Sequence, residues 1–465
     1  MDFGGAGDSS SSAGRFDLVV SDAKEDKALA IIDRLRRAGF MAYLAGGCVR
    51  DRILGVAAID HDIATDARPE VVQGLFDNTV AVGARFGVIM VILDDDHFEV
   101  ATFRADAPYH DGRRPSAVRF GTIEEDARRR DFTIGGMYYD PQTDRVIDLV
   151  DGRRDLRAGI IRAIGNPAER FEEDHLRILR AVRFAARLGF TIEPATWEAM
   201  QRSAPSIARI AAERIGEEHV RILTEGGAAR GLDLLVQSGL AAAVLPEVLP
   251  LADCPQPANF HPEGDVYRHT RLMLSMLPRG CAETLAFGVL FHDIAKPQCL
   301  AIDADGKMTY YGHTDRGAEV ATEVLQRMKR SRAVQDQVAY LVRYHLRMTM
   351  AQRMRRATLK RMIAEDGFAE LLELSRIDAL ASSSYLGFYH FCRRAMTEMS
   401  SAEIRPPRLI GGNDLIALGF QPGPEFKQIL REVEDLHLDG ELTNHDDAMR
   451  YVREHYVARA PGGNS

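Results

Sequence analysis

The sequence contains little cysteine and no long apolar run. Its five cysteines among 465 residues are scattered and form no Cys-x-x-Cys pair, which favours reduced thiols and a cytoplasmic protein. No apolar run reaches the ~18 residues that a membrane-spanning helix needs. Residues 1–14 are rich in glycine and serine and lack the basic start and apolar core of a signal peptide. We therefore expect residues 1–20 to form a disordered leader.

The sequence also lacks an excess of basic residues. With 59 Lys and Arg against 68 Asp and Glu, the net charge is −9, which argues mildly against a nucleic-acid binder. The arginines are nevertheless clustered, for example between Arg347 and Arg361. Such a cluster is typical of a solvated surface, but RNA needs only a local basic track. The composition therefore leaves RNA binding open.

The patterns of apolar residues predict an α+β fold. A helix is predicted over residues 22–39, and strands over 79–82, 88–93 and 97–104. After about residue 165 the pattern is almost wholly helical, which predicts a mixed α/β head followed by an all-α body. The expected domains after the leader are a mixed α/β head (21–160), a helical neck (161–250), a second helical domain (255–400) and a helical tail (405–465).

Two acids follow a glycine turn near the start of the predicted head. Gly46 and Gly47 let the backbone approach a phosphate closely. Asp60 and Asp62 are predicted to lie on one face of a strand, where two carboxylates could hold a divalent metal against a triphosphate. Arg50 is expected to place its guanidinium on phosphate oxygens.

This run resembles a known family. Gly46-Gly47-x-Val49-Arg50-Asp51 followed by Asp60-x-Asp62 is similar to the start of the class II tRNA nucleotidyltransferases and bacterial poly(A) polymerases. These enzymes belong to the polymerase-β-like nucleotidyltransferase superfamily. The resemblance implies template-independent addition of CCA to the 3′ end of tRNA from CTP and ATP, with Mg²⁺ held by Asp60 and Asp62. It also makes Glu99 a candidate for a third catalytic carboxylate, although an outward-facing strand glutamate is an equally good interpretation.

Two further runs extend the resemblance toward the nucleotide. Residues 129–134 read RRDFTI, which implies Arg130 on the triphosphate and Asp131 on the ribose. The family usually continues with Asn-Ala, whereas this chain has Gly135-Gly136, so a side-chain amide that commonly contacts the nucleotide is missing.

The second run starts at Glu173 and is predicted to form one helix that ends at Gly189. Asp174 and Arg177 would then lie on one face of that helix. The resemblance implies that these two side chains read the base and that Arg180 also binds the nucleotide. A surface ion pair is the simpler interpretation of Asp174 and Arg177 taken alone.

A second set of candidate metal ligands lies in the predicted domain 255–400, for which the resemblance below implies a metal-dependent phosphohydrolase. The motif FHDIAKP at residues 291–297 resembles the HD phosphohydrolases. Imidazoles and carboxylates suit Mg²⁺ or a divalent transition metal. The resemblance implies phosphatase or 2′,3′-cyclic phosphodiesterase activity. Its expected ligands are His269, His292, Asp293, His313, His345 and Asp378.

Other functions stay open at this stage. A poly(A) polymerase, or an enzyme that adds only CC or only A, would share the head motifs, and residues 82–87 are similar to both groups. A less favoured alternative is an HD nucleotide hydrolase whose head is inactive, with Gly135 as its best support.

Overall fold

A computed structural model describes residues 23–83, 86–106, 118–257, 264–382 and 384–457. The predicted leader (1–20), residues 107–117 and part of the run 82–87 lie outside the described residues. The chain divides into two compact units, Met1–Arg209 and Ile210–Ser465. Each is described by itself.

Among its described residues, the first unit contains a seven-stranded mixed sheet and eight α-helices. Its strands are β1 (Ala42–Ala45), β2 (Asp62–Thr65), β3 (Thr79–Gly83), β4 (Val88–Leu93), β5 (Asp96–Thr102), β6 (Arg104–Asp106), β7 (Val118–Phe120), β8 (Met137–Asp140), β9 (Arg145–Asp148), β10 (Ile160–Ile161) and β11 (Thr191–Ile192). Its helices are α1 (Ala23–Arg37), α2 (Gly47–Ile53), α3 (Pro69–Leu75), α4 (Ile123–Arg128), α5 (Gly152–Ala158), α6 (Pro167–Glu173), α7 (Leu176–Leu188) and α8 (Pro194–Ser203).

The large sheet has the strand order β3-β4-β5-β2-β1-β8-β9. β2 runs parallel to β5, and the other neighbouring pairs are antiparallel. The predicted helix corresponds to α1, whose Ala28, Ile31, Ile32 and Leu35 are buried at helical spacing. The three predicted strands correspond to β3, β4 and β5.

The predicted single helix from Glu173 to Gly189 is wrong. α6 ends at Glu173, and Asp174 takes an extended conformation with φ −145° and ψ 104°. The Asp174 carboxylate accepts a hydrogen bond from the Leu176 backbone N–H at 3.1 Å. An aspartate that bonds backbone two residues ahead favours a turn over a helix interior, so the chain bends here and α7 starts afresh.

Where the structure describes the second unit, its strands are the short β12 (Ala301–Ile302) and β13 (Met308–Thr309), and its other regular elements are helices. Its helices are α9 (Ala212–Thr224), α10 (Ala228–Gln237), α11 (Leu240–Val244), α12 (Val266–Ser275), α13 (Glu283–Phe291), α14 (Lys296–Cys299), α15 (His313–Arg327), α16 (Arg332–Tyr344), α17 (Arg356–Ala364), α18 (Phe368–Ala381), α19 (Gly387–Glu398), α20 (Ser401–Ile404), α21 (Gly412–Ala417), α22 (Pro424–Asp439) and α23 (His445–Val452). α13 is apolar on all sides and almost wholly buried, as expected for a central helix.

The predicted α+β class, a mixed head followed by helices, is confirmed. The tail forms a small core of its own around Leu415, Ile429 and Val433. The contact division falls at Arg209, inside the predicted neck, and the predicted domain boundaries stay predictions. Among the described residues, no helix has the length and apolar character to cross a membrane.

Candidate functional sites

Asp62 and Glu99 face each other across two neighbouring parallel strands. Ile63 of β2 lies opposite Val100 of β5. Because side chains alternate along a strand, the residues just before them, Asp62 and Glu99, share the other face. Both line a pocket of about 240 Å³ whose wall also contains Arg104, Arg129 and Arg130.

The two carboxylates repel each other. Desolvation and, after it, the charge of Glu99 together raise the pKa of Asp62 to about 6, against the opposing effect of Arg130. Asp62 remains accessible from the pocket. A divalent cation between the two carboxylates would offset their repulsion, so the donor set fits a metal.

Asp60 is not in the strand that was predicted to carry it. β2 begins at Asp62, and Asp60 lies in the preceding segment with its side chain 78% exposed. Its carboxylate forms a salt bridge with Lys24 of α1 at 3.1 Å, and the same ammonium donates to the Ile59 carbonyl at 2.9 Å. The alternate spacing of Asp60 and Asp62 could not identify Lys24 as the partner of Asp60, because Lys24 lies in α1, far away in the sequence.

Gly46 brings the backbone against the charged groups of the pocket. Its φ of +75° suits glycine, and an added Cβ would lie 3.1 Å from Arg130 Nη1 and 3.9 Å from Asp62 Oδ2. At Gly47 an added Cβ would meet Arg50 Nη2 at 3.7 Å, an ordinary contact. At Gly46 the backbone therefore lies close to Arg130, while its predicted approach to a phosphate stays a prediction.

A single buried carboxylate holds the arginines of the pocket. Asp126 is 1% exposed and accepts from Arg129 through Oδ1 at 2.6 and 2.8 Å. Its Oδ2 accepts from Arg130 at 3.1 and 3.3 Å and from the Tyr138 hydroxyl at 2.6 Å. Although burial raises the pKa of Asp126, the charges of Arg130 and Arg129 lower it below its ordinary value. Sequence reasoning missed Asp126, which lies in α4 with its partners three and four residues further on.

Arg50 is placed differently from the prediction. It is 3% exposed, and its guanidinium bonds the Asp51 carboxylate at 2.7 and 2.8 Å. It also lies over the Phe184 ring, 5.5 Å from the centroid. Asp51 forms a second ion pair with Arg187 at 3.3 Å. In this structure Arg50 joins α2 to α7 and does not line the pocket.

Asp131 and Arg180 form an ion pair that joins the RRDFTI run to α7. Arg180 Nε donates to Asp131 Oδ2 at 2.6 Å, while Asp131 Oδ1 accepts from the Phe132 backbone N–H at 2.9 Å. Although burial raises the pKa of Asp131, Arg180 lowers it. The carboxylate is thus ionised and oriented.

Arg177 points to main-chain carbonyls and to Glu173. Its guanidinium donates to the Arg170 carbonyl at 2.9 Å, to the Arg129 carbonyl at 3.2 Å, and to the Glu173 carboxylate. The salt bridge of Arg177 is therefore with Glu173, and Asp174 precedes α7 rather than sharing its face. The contact with Arg129 joins the candidate base reader to the pocket.

The predicted HD ligands converge in the second unit. His269, His292 and Asp293 form one buried group, and Asp293, His313 and His345 form another, each with ligand atoms within 4.8 Å of one another. Asp378 lies beside the first group, because its Oδ1 is 3.2 Å from His269 Nε2. Asp293 is shared by both groups, as a residue that bridges two metal ions would be.

The histidines present the nitrogen that a metal needs. The Nδ1–H groups of His292, His313 and His345 donate to the carbonyls of Val289, Tyr310 and Val342 at 2.7–2.9 Å. This leaves the Nε2 lone pairs directed inward.

The charge states at this centre also suit ligation. Within the described residues, His313 Nε2 and Asp293 Oδ1 are buried without a hydrogen-bond partner. Burial lowers the pKa of His345 to about 4, which keeps the imidazole neutral, as metal ligation requires. A divalent cation therefore fits this centre.

Lys296 is a functional candidate that sequence reasoning left without a role. Its ammonium lies 2.7 Å from Asp293 Oδ2 and donates to Gln256 Oε1 at 2.7 Å. It places a positive charge beside the shared carboxylate. The sequence feature that could have identified Lys296 is its position in the FHDIAKP motif.

Three family models match the chain in order. The Poly A polymerase head domain matches residues 42–162, the Probable RNA and SrmB- binding site of polymerase A matches 189–251, and the HD domain matches 265–381.

Similar curated proteins are named CCA-adding enzyme. The one from Streptococcus suis is 33% identical over 435 residues, which cover 92% of this chain and 96% of that protein. The one from Streptococcus gordonii is 33% identical and covers 95% and 99%. The one from Ligilactobacillus salivarius is 44% identical over a segment that spans about half of each chain, 48% and 56%.

Solved structures are similar over most of the chain. The Bacillus stearothermophilus CCA-adding enzyme in complex with CTP superposes with a TM-score of 0.73 at 26% identity, covering 94% of this chain and 99% of that one. The Thermotoga maritima CCA-adding enzyme complexed with tRNA has a TM-score of 0.54 at 19% identity, covering 93% and 96%, and it supports the fold alone.

The Lys24–Asp60 salt bridge predicts a competition with metal. Since Asp60 must leave Lys24 to ligate a cation, Lys24→Gln should lower the head's dissociation constant for Mn²⁺ by about 1.4- to 5-fold, the range for a surface pair worth 0.2–1 kcal/mol. Titration followed by electron paramagnetic resonance, in a His292→Ala/His313→Ala background, measures this. Lys27→Gln, whose lysine pairs with Asp94 and Asp96, is the control. An equal effect of both substitutions would refute a specific competition.

The glycine turn predicts different tolerance at two glycines. Gly46→Ala forces a Cβ to 3.1 Å from Arg130 at positive φ, whereas the nearest atom to an added Cβ at Gly135 is 3.7 Å away. Gly46→Ala should therefore weaken CTP binding by about tenfold, since strain of ~1–2 kcal/mol is shared with a displaced Arg130. Gly135→Ala should change it by less than about twofold. Isothermal titration with CTP compares them, and equal losses would contradict the close approach at Gly46.

Proposed function

Because the chain belongs to the family of the CCA-adding enzymes, which are nucleotidyltransferases, we propose that it adds C, C and A to the 3′ end of tRNA from CTP and ATP without a nucleic-acid template. The observation that best supports this proposal is a single pocket lined by Asp62, Glu99 and Arg130. The backbone of Gly46 lies close to Arg130 and Asp62 in the same region. A relative solved with CTP supports the choice of nucleotide, and the curated relatives named CCA-adding enzyme support the reaction.

The head residues suit nucleotidyl transfer. Asp62 and Glu99, joined by Asp60 once it leaves Lys24, would hold Mg²⁺ in our proposal. When bound, such ions activate the RNA 3′-hydroxyl and neutralise charge on the triphosphate. The 3′-oxygen then bonds to the α-phosphorus as the α–β anhydride bond breaks, releasing pyrophosphate and the hydroxyl proton. Arg130 would bind the triphosphate, since a guanidinium matches phosphate oxygens.

The nucleotide itself would lie toward α7. Asp131, ionised and oriented by Arg180, can accept hydrogen bonds from ribose hydroxyls. Arg177 and Asp174 offer donors and an acceptor to the edge of a base. In our proposal they would read C and A, which requires Arg177 to exchange its contact with Glu173 for one with the base. Gly47 would contribute to nucleotide binding through the glycine turn, and Arg50 would contribute through the packing of α2.

We further propose that the HD centre is a metal-dependent phosphohydrolase, acting as a phosphatase or 2′,3′-cyclic phosphodiesterase. The ligands would be His269, His292, Asp293, His313, His345 and Asp378, with Mg²⁺ or a divalent transition metal. Support comes from the shared Asp293 and the inward Nε2 atoms. A cytoplasmic location is proposed as well, supported by five free cysteines.

The activity of the head can be tested with three tRNA transcripts that end before CCA, after C and after CC. With CTP and ATP together, each should be extended only to CCA, and CTP alone should stop after the second C. Gel analysis of labelled RNA gives the answer. Long A tails would establish a poly(A) polymerase instead, and addition of only CC or only A would establish a partial enzyme.

The two centres should be separable by substitution. Asp60→Ala and Asp62→Asn should abolish nucleotide addition, because each removes a proposed metal ligand, and leave hydrolysis of a 2′,3′-cyclic nucleotide unchanged. His292→Ala should do the reverse and reduce the metal content measured by mass spectrometry. Loss of both activities in one correctly folded variant would contradict two independent sites. Hydrolysis without any addition by the wild type would point to an HD hydrolase with an inactive head.

A further inference from the structure

Asp126 occupies a position that the proposed chemistry does not use directly. It is buried beneath the pocket, and both of its oxygens are taken by protein donors: Arg129, Arg130, Tyr138 and the Arg104 backbone N–H. Two of these donors are side chains that line the wall beside Asp62 and Glu99. Asp126 therefore touches the phosphate-binding residues and not the pocket.

The local sequence fixes this carboxylate in place. α4 begins with a capping box in which Thr122 accepts from the Glu125 backbone and Glu125 accepts from the Thr122 backbone. Asp126 follows within the helix, and Arg129 and Arg130 come directly after the helix ends, at i+3 and i+4 from Asp126. Residues at these spacings lie on one helical face, so both guanidiniums return to the same carboxylate.

The orientation of these arginines matters because opposite charges crowd the pocket. A guanidinium left to itself would pair with Asp62 or Glu99, the carboxylates that must bind metal. Charge-assisted hydrogen bonds are strong and directional, and Asp126, which does not line the pocket itself, supplies such bonds to both arginines. Arg130 Nη1 also donates to the Gly135 carbonyl at 3.4 Å, which leaves it against Gly46.

We propose that Asp126 is a positioning residue for triphosphate binding. It holds Arg130 where phosphate can reach it and keeps Arg129 and Arg130 from neutralising the metal-binding acids. This inference rests on the proposed function of the head, and it assigns to Asp126 an effect on nucleotide affinity that acts through Arg130.

A double-mutant cycle on the full chain tests the proposal. Dissociation constants for CTP are measured calorimetrically in the presence of Mg²⁺ for wild type, Asp126→Asn, Arg130→Gln and the double variant. Each single substitution should weaken binding by about tenfold or more, as expected for loss of a charge-assisted contact. The double variant should be no weaker than Arg130→Gln within about twofold, because groups that act through one another are not additive.

Matched variants exclude a general loss of structure. Asp148 caps backbone N–H groups of Gly152 and Arg153 at 2.9 and 2.8 Å, so Asp148→Asn removes a structural carboxylate from the same unit. It should leave the CTP dissociation constant unchanged. Should Asp126→Asn fail to fold, Tyr138→Phe removes one donor to Asp126 and should still raise that constant by about two- to fivefold, because one of the hydrogen bonds that orient the carboxylate is lost.

The outcomes are distinct. If the losses from Asp126→Asn and Arg130→Gln multiply, or if Asp126→Asn leaves CTP binding unchanged or tightens it, the positioning role is refuted. In the fallback case, unchanged CTP binding by folded Tyr138→Phe refutes it. If Arg130→Gln alone leaves CTP binding unchanged, the proposed triphosphate role of Arg130 fails, and the positioning role fails with it for that separate reason.

Discussion

Repulsion between the carboxylates of Asp62 and Glu99 is the constraint around which the head is arranged. The parallel pairing of β2 and β5 forces these two acids onto one face, and the pKa of Asp62 rises to about 6 as a result of burial and of this neighbour. Positive charge must lie close to these two carboxylates but must not neutralise them completely. Asp126 holds two arginines at the wall of the same pocket, and the remaining negative charge suits a divalent cation.

The HD centre must also balance the negative charge of its carboxylates, and it does so with different groups. Burial lowers the pKa of His313 and His345, and hydrogen bonds to main-chain carbonyls orient His292, His313 and His345. Asp293 and Asp378 supply the negative charge of the centre. Lys296 offsets part of that charge at 2.7 Å from Asp293. A neutral imidazole set with a shared carboxylate suits borderline transition metals, whereas the oxygen-only donors of the head suit Mg²⁺. The two centres are therefore expected to differ in metal preference.

Local patterns predicted the elements well but not the partners of the charged side chains. The helix α1, the strands β3 to β5 and the close approach at Gly46 follow from apolar spacing and from the absence of a Cβ. The predicted strand failed at Asp60 and the predicted helix failed at Asp174, because Lys24 holds Asp60 and Asp174 bonds backbone two residues ahead. Arg50 forms an ion pair with its neighbour Asp51 and does not line the pocket, because its guanidinium packs over the Phe184 ring. The HD ligands were grouped only through family resemblance, because spacing alone does not bring distant helices together.

The most direct test of the account is a crystal structure of the chain grown with Mn²⁺ and a non-hydrolysable CTP analogue, with the metal located by anomalous scattering. The account predicts anomalous density between Asp62, Glu99 and an Asp60 that has left Lys24, with the triphosphate against Arg130, and separate density at Asp293. Nucleotide bound with manganese only at Asp293, or a triphosphate distant from Arg130 and Asp62, would contradict it.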